Sequence, residues 1–176
     1  NEGSYAGRAV YRAANLYQAM DLIGKRKYAS ALKSIEASKE WPENLGVGKP
    51  YDDQIDSRLE DYLEAKVYEG QKEKAKACFN RVAEVKTSPK YFESARLLTA
   101  LALREVGKQT EADAMVASWA KDFPDSKPAQ WCAAIYKGDT TKASELLKSR
   151  YSQQDTTPWE ATYRDTNFDL IVRLFK

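Results

Sequence analysis

The feature that most constrains this chain is an internal repeat that aligns without gaps. Three segments share a glycine followed five residues later by an alanine: Gly70-Gln-Lys-Glu-Lys-Ala75, Gly107-Lys-Gln-Thr-Glu-Ala112 and Gly138-Asp-Thr-Thr-Lys-Ala143. Apolar residues then return at helical steps. Ala75 leads to Phe79 and Val82, Ala112 to Val116 and Trp119, and Ala143 to Leu147, with Arg150 next in register. The same spacing runs from Ala31 through Ile35 and Ser38, with Tyr28 ahead of it. A glycine makes a tight turn, and a small residue after it lets two antiparallel helices approach closely, where a large side chain would hold their axes apart. The pattern therefore predicts a row of helix hairpins.

Helical periodicity fills most of the sequence outside these turns. Apolar stripes at three- and four-residue steps predict helices over Tyr5–Ile23, Lys27–Trp41, Ile55–Tyr68, Lys72–Val85, Pro89–Val106, Gln109–Asp122, Lys127–Tyr136, Thr140–Ser149 and Asn167–Lys176. No stretch alternates apolar and polar residues for long enough to predict a strand. Pro89 and Pro128 stand where a first-turn proline forfeits no hydrogen bond. Pro42 and Pro124 follow helices and stop them. Gly70, Gly107 and Gly138 fit helix ends that need positive φ. Thr166 with Asp169 three residues on reads as a cap for the last helix.

Taken together, the Gly–Ala turns and the stripes around them resemble the tetratricopeptide repeat. The best copy is Tyr91–Asp125, with Ala100, Gly107, Ala112, Val116, Trp119 and Pro124 at family spacing. The alanines lie 44, 37 and 31 residues apart, against a family period of about 34. The resemblance implies an all-α, right-handed superhelical solenoid of antiparallel helix hairpins within one domain, 1–176. Its pairs would be 6–41, 54–86, 89–123 and 126–150, followed by C-terminal helices over 158–176. The long first step leaves an insert, 42–53, with two glycines and two prolines. With the helices around it, this stretch resembles the repeat region of large bacterial proteins that carry an uncharacterised mutarotase-like domain.

Composition removes several kinds of function. The formal charge is +2, from 28 basic and 26 acidic residues, so the net basic face of a nucleic-acid binder is not expected. Lys72, Lys74 and Lys76, and the run Lys25-Arg26-Lys27, are short or balanced by nearby acids. No apolar run reaches the ~20 residues that span a bilayer. Histidine is absent, which removes the commonest general base and metal ligand. Cys78 and Cys132 sit among apolar neighbours and read as small buried hydrophobes. Gly48-Lys49 lacks both the earlier glycine and the following Ser or Thr of a phosphate loop: Glu43 and Pro50 stand there instead. Glu60 and Glu64 have the spacing of a carboxylate pair, but beside Arg58 and Lys66 they read as an ion-paired face. No cofactor or metal is expected, and no enzyme activity.

A solenoid offers partners the concave face made by the first helix of each pair. The phase of the alanines puts Leu16, Met20, Glu60, Glu64, Tyr68, Leu97, Leu101, Arg104 and Tyr136 on that face, with Ile23 and Cys132 beside them. The basic, asparagine-bearing clamp with which some repeat proteins grip an acidic chaperone terminus is missing from these positions. The expected function is a non-catalytic protein-interaction or scaffolding module of a larger bacterial protein. Its partner would be a protein, a peptide or an upstream domain of the same chain. The alternative is an accessory domain of a carbohydrate-active enzyme whose catalytic domain lies upstream. The last helix carries Phe168, Ile171, Val172 and Phe175 on one stripe and Leu170 and Leu174 on another. Either both stripes close the end of the domain, or the surplus one meets a second subunit or the upstream domain.

Overall fold

A computed structural model describes residues 2–42, 48–87, 90–152 and 157–176. All regular structure among these residues is helical. The chain divides into two compact units, Asn1–Arg81 and Val82–Lys176. The first contains α1 (Glu2–Gly24), α2 (Tyr28–Lys39), a short 3-10 turn (Asp52–Gln54), α3 (Arg58–Val67) and most of α4 (Lys72–Ala83). The second contains α5 (Ala95–Glu105), α6 (Gln109–Asp122), α7 (Lys127–Tyr136), α8 (Thr140–Ser152), a 3-10 turn (Thr157–Trp159), α9 (Ala161–Arg164) and α10 (Phe168–Phe175). In the first unit α1 packs on α2 and α3, and α2 on α3. In the second, α5 packs on α6 and α7, α6 on α7, and α7 on α8.

The repeat is visible in the backbone. In the α5–α6 turn, Gly107 takes φ +85°, Lys108 donates its N–H to Leu103 O (2.8 Å) and Gly107 to Arg104 O (3.1 Å). In the α7–α8 turn, Gly138 takes φ +73°, with Asp139 N to Ala134 O (2.9 Å) and Gly138 N to Ile135 O (3.0 Å). The α1–α2 turn repeats both bonds, Lys27 N to Leu22 O (2.8 Å) and Arg26 N to Ile23 O (2.9 Å). Here the left-handed residue is Arg26, φ +57°, five positions before Ala31, where the other copies have glycine. This is the left-handed C-cap that satisfies the last free carbonyls of a helix. The alanine that follows each turn (Ala31, Ala75, Ala112, Ala143) is buried.

Gly70 departs from the expectation. It is not left-handed, and the α3–α4 turn closes instead with Tyr68 N on Glu64 O (3.1 Å) and Gln71 N on Tyr68 O (2.7 Å). An ordinary tight turn closes the helix there, so the glycine's freedom is not used.

Several helix boundaries also differ from the periodicity. The helix expected from Pro89 begins at Ala95, and Pro89 itself lies outside the described residues. Phe92, counted on that helix's stripe, precedes it yet is buried, edge-on to Trp119 (5.2 Å) and Phe123 (5.6 Å). The start is fixed from far along the chain: Asp165 Oδ2 accepts the Ser94 N–H (2.7 Å) and hydroxyl (2.6 Å). A carboxylate there answers a free N–H and complements the helix dipole. The expected Thr166–Asp169 cap is not formed. Asp165 does that work too, its Oδ1 accepting Asn167 N–H (3.0 Å) and its carbonyl accepting Phe168 N–H (3.2 Å), while Asp169 pairs with Arg150 (2.7 Å). Pro128 does sit in the first turn of α7, with Ser126 Oγ accepting the Ala129 N–H (3.2 Å). The α3 helix starts at Arg58 rather than near Ile55. Within the insert, residues 43–47 lie outside the described ones.

Both stripes of α10 enter the second unit. Phe168, Leu170, Ile171 and Val172 are buried and Leu174 and Phe175 half-buried. Phe168 lies edge-on to Trp131 (5.5 Å) and Trp159 (5.9 Å), under the Arg150 guanidinium (5.0 Å).

Three outcomes test this account. Ala112→Trp should lower stability by about 3 kcal/mol, the cost of overpacking a buried contact, while Lys108→Trp, on an exposed site, leaves the melt nearly unchanged. Gly107→Ala should destabilise by about 1 kcal/mol through its positive φ, whereas Gly70→Ala should stabilise by about 0.5 kcal/mol by restricting the unfolded chain. Removing the Asp165 carboxylate in Asp165→Ala should cost about 1–2 kcal/mol and raise amide exchange at both Ser94 and Asn167, measured in one hydrogen-exchange experiment.

Candidate functional site

The residues expected on one concave face fall into both units and into different environments. In the first unit Leu16 is fully buried and Met20 half-buried. Leu16 on α1 therefore belongs to the core, with Ala19, Leu59 and Leu63. Glu60 is also buried. Arg12, one helix away on α1, donates Nε to its Oε1 (2.6 Å) and Nη2 to its Oε2 (3.0 Å). Glu64, half-buried, faces other cations: Lys39 of α2 and Arg81 of α4, each at 3.5 Å. Asp61 shares them, at 3.8 Å from Lys39 and 3.2 Å from Arg81. Burial pushes the Asp61 carboxyl up, against the pull of Arg81 and Lys39. Tyr68 is half-buried at the end of α3, with Lys74 over its ring at 5.2 Å.

So Glu60 and Glu64, four residues apart on α3, serve different partners. Arg58 beside them is buried and bidentate on Asp56, Nε to Oδ1 (3.0 Å) and Nη2 to Oδ2 (2.8 Å). Burial alone would raise the Asp56 carboxyl, but the hydrogen bonds and charge of Arg58 hold it below its ordinary value. This lattice ties α1, α2 and α4 to α3 through charge-assisted bonds, the stronger kind of hydrogen bond.

In the second unit Leu97 and Leu101 on α5 are buried. Arg104 and Tyr136 are brought together. The Tyr136 hydroxyl donates to Asp113 Oδ1 (2.7 Å), and Gln109 Nε2 donates to that oxygen (2.7 Å) and to the Tyr136 hydroxyl (3.1 Å). The Arg104 guanidinium lies over the Tyr136 ring (5.1 Å) and reaches the Tyr136 carbonyl (3.5 Å). Burial and the bond to Asp113 raise the Tyr136 hydroxyl above the usual phenol range. The cluster joins the ends of α5 and α7 to the start of α6. Its rim is polar and open, since Arg104, Gln109 and Asp113 are exposed. An aromatic with a polar handle under an arginine is the composition that protein contact sites favour.

The other residues singled out from sequence have plain places. Cys78 and Cys132 are free and buried. Burial pushes the Cys132 thiol far up, and its Sγ faces Ser94 O at 3.9 Å. Lys49 pairs with Asp52 (2.9 Å) on the surface. Among the described residues no group of three or more His, Cys, Asp and Glu could hold a metal ion. No described helix is long and apolar enough to cross a membrane.

Sequence reasoning missed three groups that organise these sites. Arg12 and Arg8 stand on the inward side of α1, and a charge on an apolar stripe is a legible sign of a buried pair. Asp113 and Gln109 are four apart on α6, a visible local pair, but nothing local ties them to Tyr136. Asp165 acts across 71 residues, and no local pattern carries that. Compared with protein-family models, characterised proteins and solved structures, the chain matches none.

Two outcomes follow. Glu60→Ala should cost about 3 kcal/mol by stranding the Arg12 charge, while Arg12→Met with Glu60→Leu recovers most of it, since a buried pair can be replaced by apolar packing. Thermal melts of the two single variants and the double settle this. Asp56 has a folded pKa below its unfolded one, so its share of stability is present above the unfolded value and lost as pH falls through the folded one. Acid unfolding of Asp56→Asn should be shallower than wild type below about pH 4.

Proposed function

We propose that the chain is a non-catalytic interaction module built from tetratricopeptide-like hairpins, stacked as a right-handed superhelix, which binds a protein or peptide. The observation that carries the reading is the recurring turn. Arg26, Gly107 and Gly138 adopt the same left-handed conformation with the same pair of backbone bonds, each five residues before a buried alanine. Three equivalent hairpins in one chain support a repeat architecture. Such scaffolds work by presenting surface, so they need no nucleophile or base. The exposed rim of Arg104, Gln109 and Asp113 around Tyr136 supports a polar contact site on the second unit.

The test is selection of peptides from a displayed random library against the intact chain. Wild type should enrich a family of related peptides that bind at micromolar affinity in solution. Arg104→Glu should weaken them at least tenfold while its melt stays within a degree or two of wild type. A library that returns no peptide above background, or peptides indifferent to Arg104→Glu and to Tyr68→Ala alike, would remove this reading.

A further inference from the structure

We propose that the first unit binds a singly charged carboxylate at Arg8, beside Trp41. Three arginines lie inside this unit: Arg8, Arg12 and Arg58. Arg12 and Arg58 each have a carboxylate in the guanidinium fork, Glu60 and Asp56 respectively. Arg8 has none. It is 7% exposed, and its Nη2 donates to Ser38 O (2.8 Å) near the end of α2. Its Nε and Nη1 are buried without an acceptor. Those two atoms flank Nη2, so each fork of the guanidinium has one open donor.

A third open donor lies in the same stack. The Arg8 guanidinium sits 4.5 Å over the Trp41 ring, whose Nε1 is likewise buried without an acceptor. The indoles of Trp119, Trp131 and Trp159 also lack acceptors, but those rings pack on phenylalanines. Of these four rings, Trp41 is the one that stacks on a cation. Buried donors without partners are costly, and a cation in that state more so. The arrangement is that of a site waiting for an acceptor.

Charge selects the ligand. Arg58 and Asp56 cancel. Among the buried and half-buried groups, Arg8 and Arg12 against Glu60 leave one positive charge, with a further charge at the site on the exposed Glu40. Glu40, on the rim, is exposed and takes the Tyr11 hydroxyl (3.2 Å). A monoanion balances the set, whereas a phosphate dianion would leave excess negative charge beside Glu60. Burial, then the neighbouring Arg12, lowers the Arg8 pKa, with Glu60 and Tyr11 pulling the other way. A carboxylate also has the planar, two-oxygen shape that a guanidinium fork accommodates.

Access does not require a helix to unwind. The α2 helix ends at Lys39, and Glu40 is extended (φ −69°, ψ 151°), so Trp41 stands beyond the helix. Its ring is half-buried.

The experiment follows the Arg8 Nε–H and Trp41 Nε1–H signals of the intact chain by nuclear magnetic resonance. The probe is sodium acetate, with sodium chloride at matched ionic strength as control. Both signals should move along a saturating curve with acetate and stay still with chloride. Arg8→Met should weaken acetate binding at least tenfold. Trp41→Phe, which keeps the stack and removes one donor, should weaken it about fivefold, and it carries the test if Arg8→Met fails to fold. A peptide with blocked ends and a single glutamate, compared with its glutamine twin, distinguishes the source. Saturation below the acetate range identifies a polypeptide carboxylate, and binding of acetate alone identifies a free small acid. The proposal fails if chloride reproduces the shifts, if acetate does not saturate, or if inorganic phosphate binds more tightly. It also fails if Glu43→Gln alone displaces the Arg8 signal, because the acceptor would then be the chain's own. Loss of peptide selection with acetate binding intact would remove the interaction-module reading and leave this site standing.

Discussion

Close approach of antiparallel helices at a buried alanine is the constraint on which the rest depends. Ala31, Ala75, Ala112 and Ala143 are all buried, each four residues after the acceptor of its own helical N–H: Lys27, Gln71, Lys108 and Asp139. The turn in front of each alanine must therefore end one helix and start the next within a few residues. Before Ala31, Ala112 and Ala143 a left-handed residue does this by folding two N–H groups back onto the last free carbonyls. Glycine does it without steric cost. Arg26 shows that the geometry, rather than the residue type, is what the packing demands, and it bears a strain of about 1 kcal/mol there.

Once the helices are close, their facing surfaces have to be filled, and the two units fill them differently. The second unit does so with rings: Phe92, Trp119 and Phe123 form one cluster, Trp131, Trp159 and Phe168 another. The first unit packs an apolar core that includes Leu16, Ile35, Leu59, Leu63 and the Tyr62–Phe79 ring pair, and adds charge to it. Arg12–Glu60 and the Lys39, Arg81, Asp61, Glu64 group link its helices, while Arg58–Asp56 is a local pair at the start of α3. Buried pairs of this kind contribute less stability than rings of equal volume, because both ions must leave water. What they supply is direction. A bidentate fork fixes the rotation of α1 against α3 in a way that a leucine contact does not. The open fork of Arg8 belongs to the same design, with one acceptor fewer.

Helices were legible in the sequence because they are local. The α6 and α7 boundaries, Gln109–Asp122 and Lys127–Tyr136, match the periodicity residue for residue. Their ends are set by a left-handed turn on one side and a capping serine with a first-turn proline on the other, and both lie within a few residues. The start of α5 was not legible, because Asp165 sets it from the far end of the chain. Phe92 misled for a related reason: it is buried, as its place on the stripe implied, but from an extended segment. The groove residues divided in the same way. Arg104 and Tyr136 were read onto one face from different helix pairs, and the structure brings them into contact. Leu16, Leu97 and Leu101 were placed on an open face and are buried, because period alone gives a residue's side of a helix and not which neighbour covers that side.

Asp165 shows how the second unit is tied together. A helix as apolar as α10 has to be held against the unit in a fixed direction. Aromatic contact through Phe168 supplies area but little direction. The Asp165 carboxylate supplies the direction: one oxygen takes two donors at Ser94, and the other takes the Asn167 N–H. The first helix of the second unit and its last are thus capped by one side chain. Arg150 adds a second tie, bound to Asp169 and lying over Phe168. Because both helix starts share one carboxylate, fraying at the C-terminus exposes free N–H groups at α5 as well. Loosening of α10 is therefore coupled to the start of α5, in addition to the packing of α5 on α6 and α7, α6 on α7 and α7 on α8.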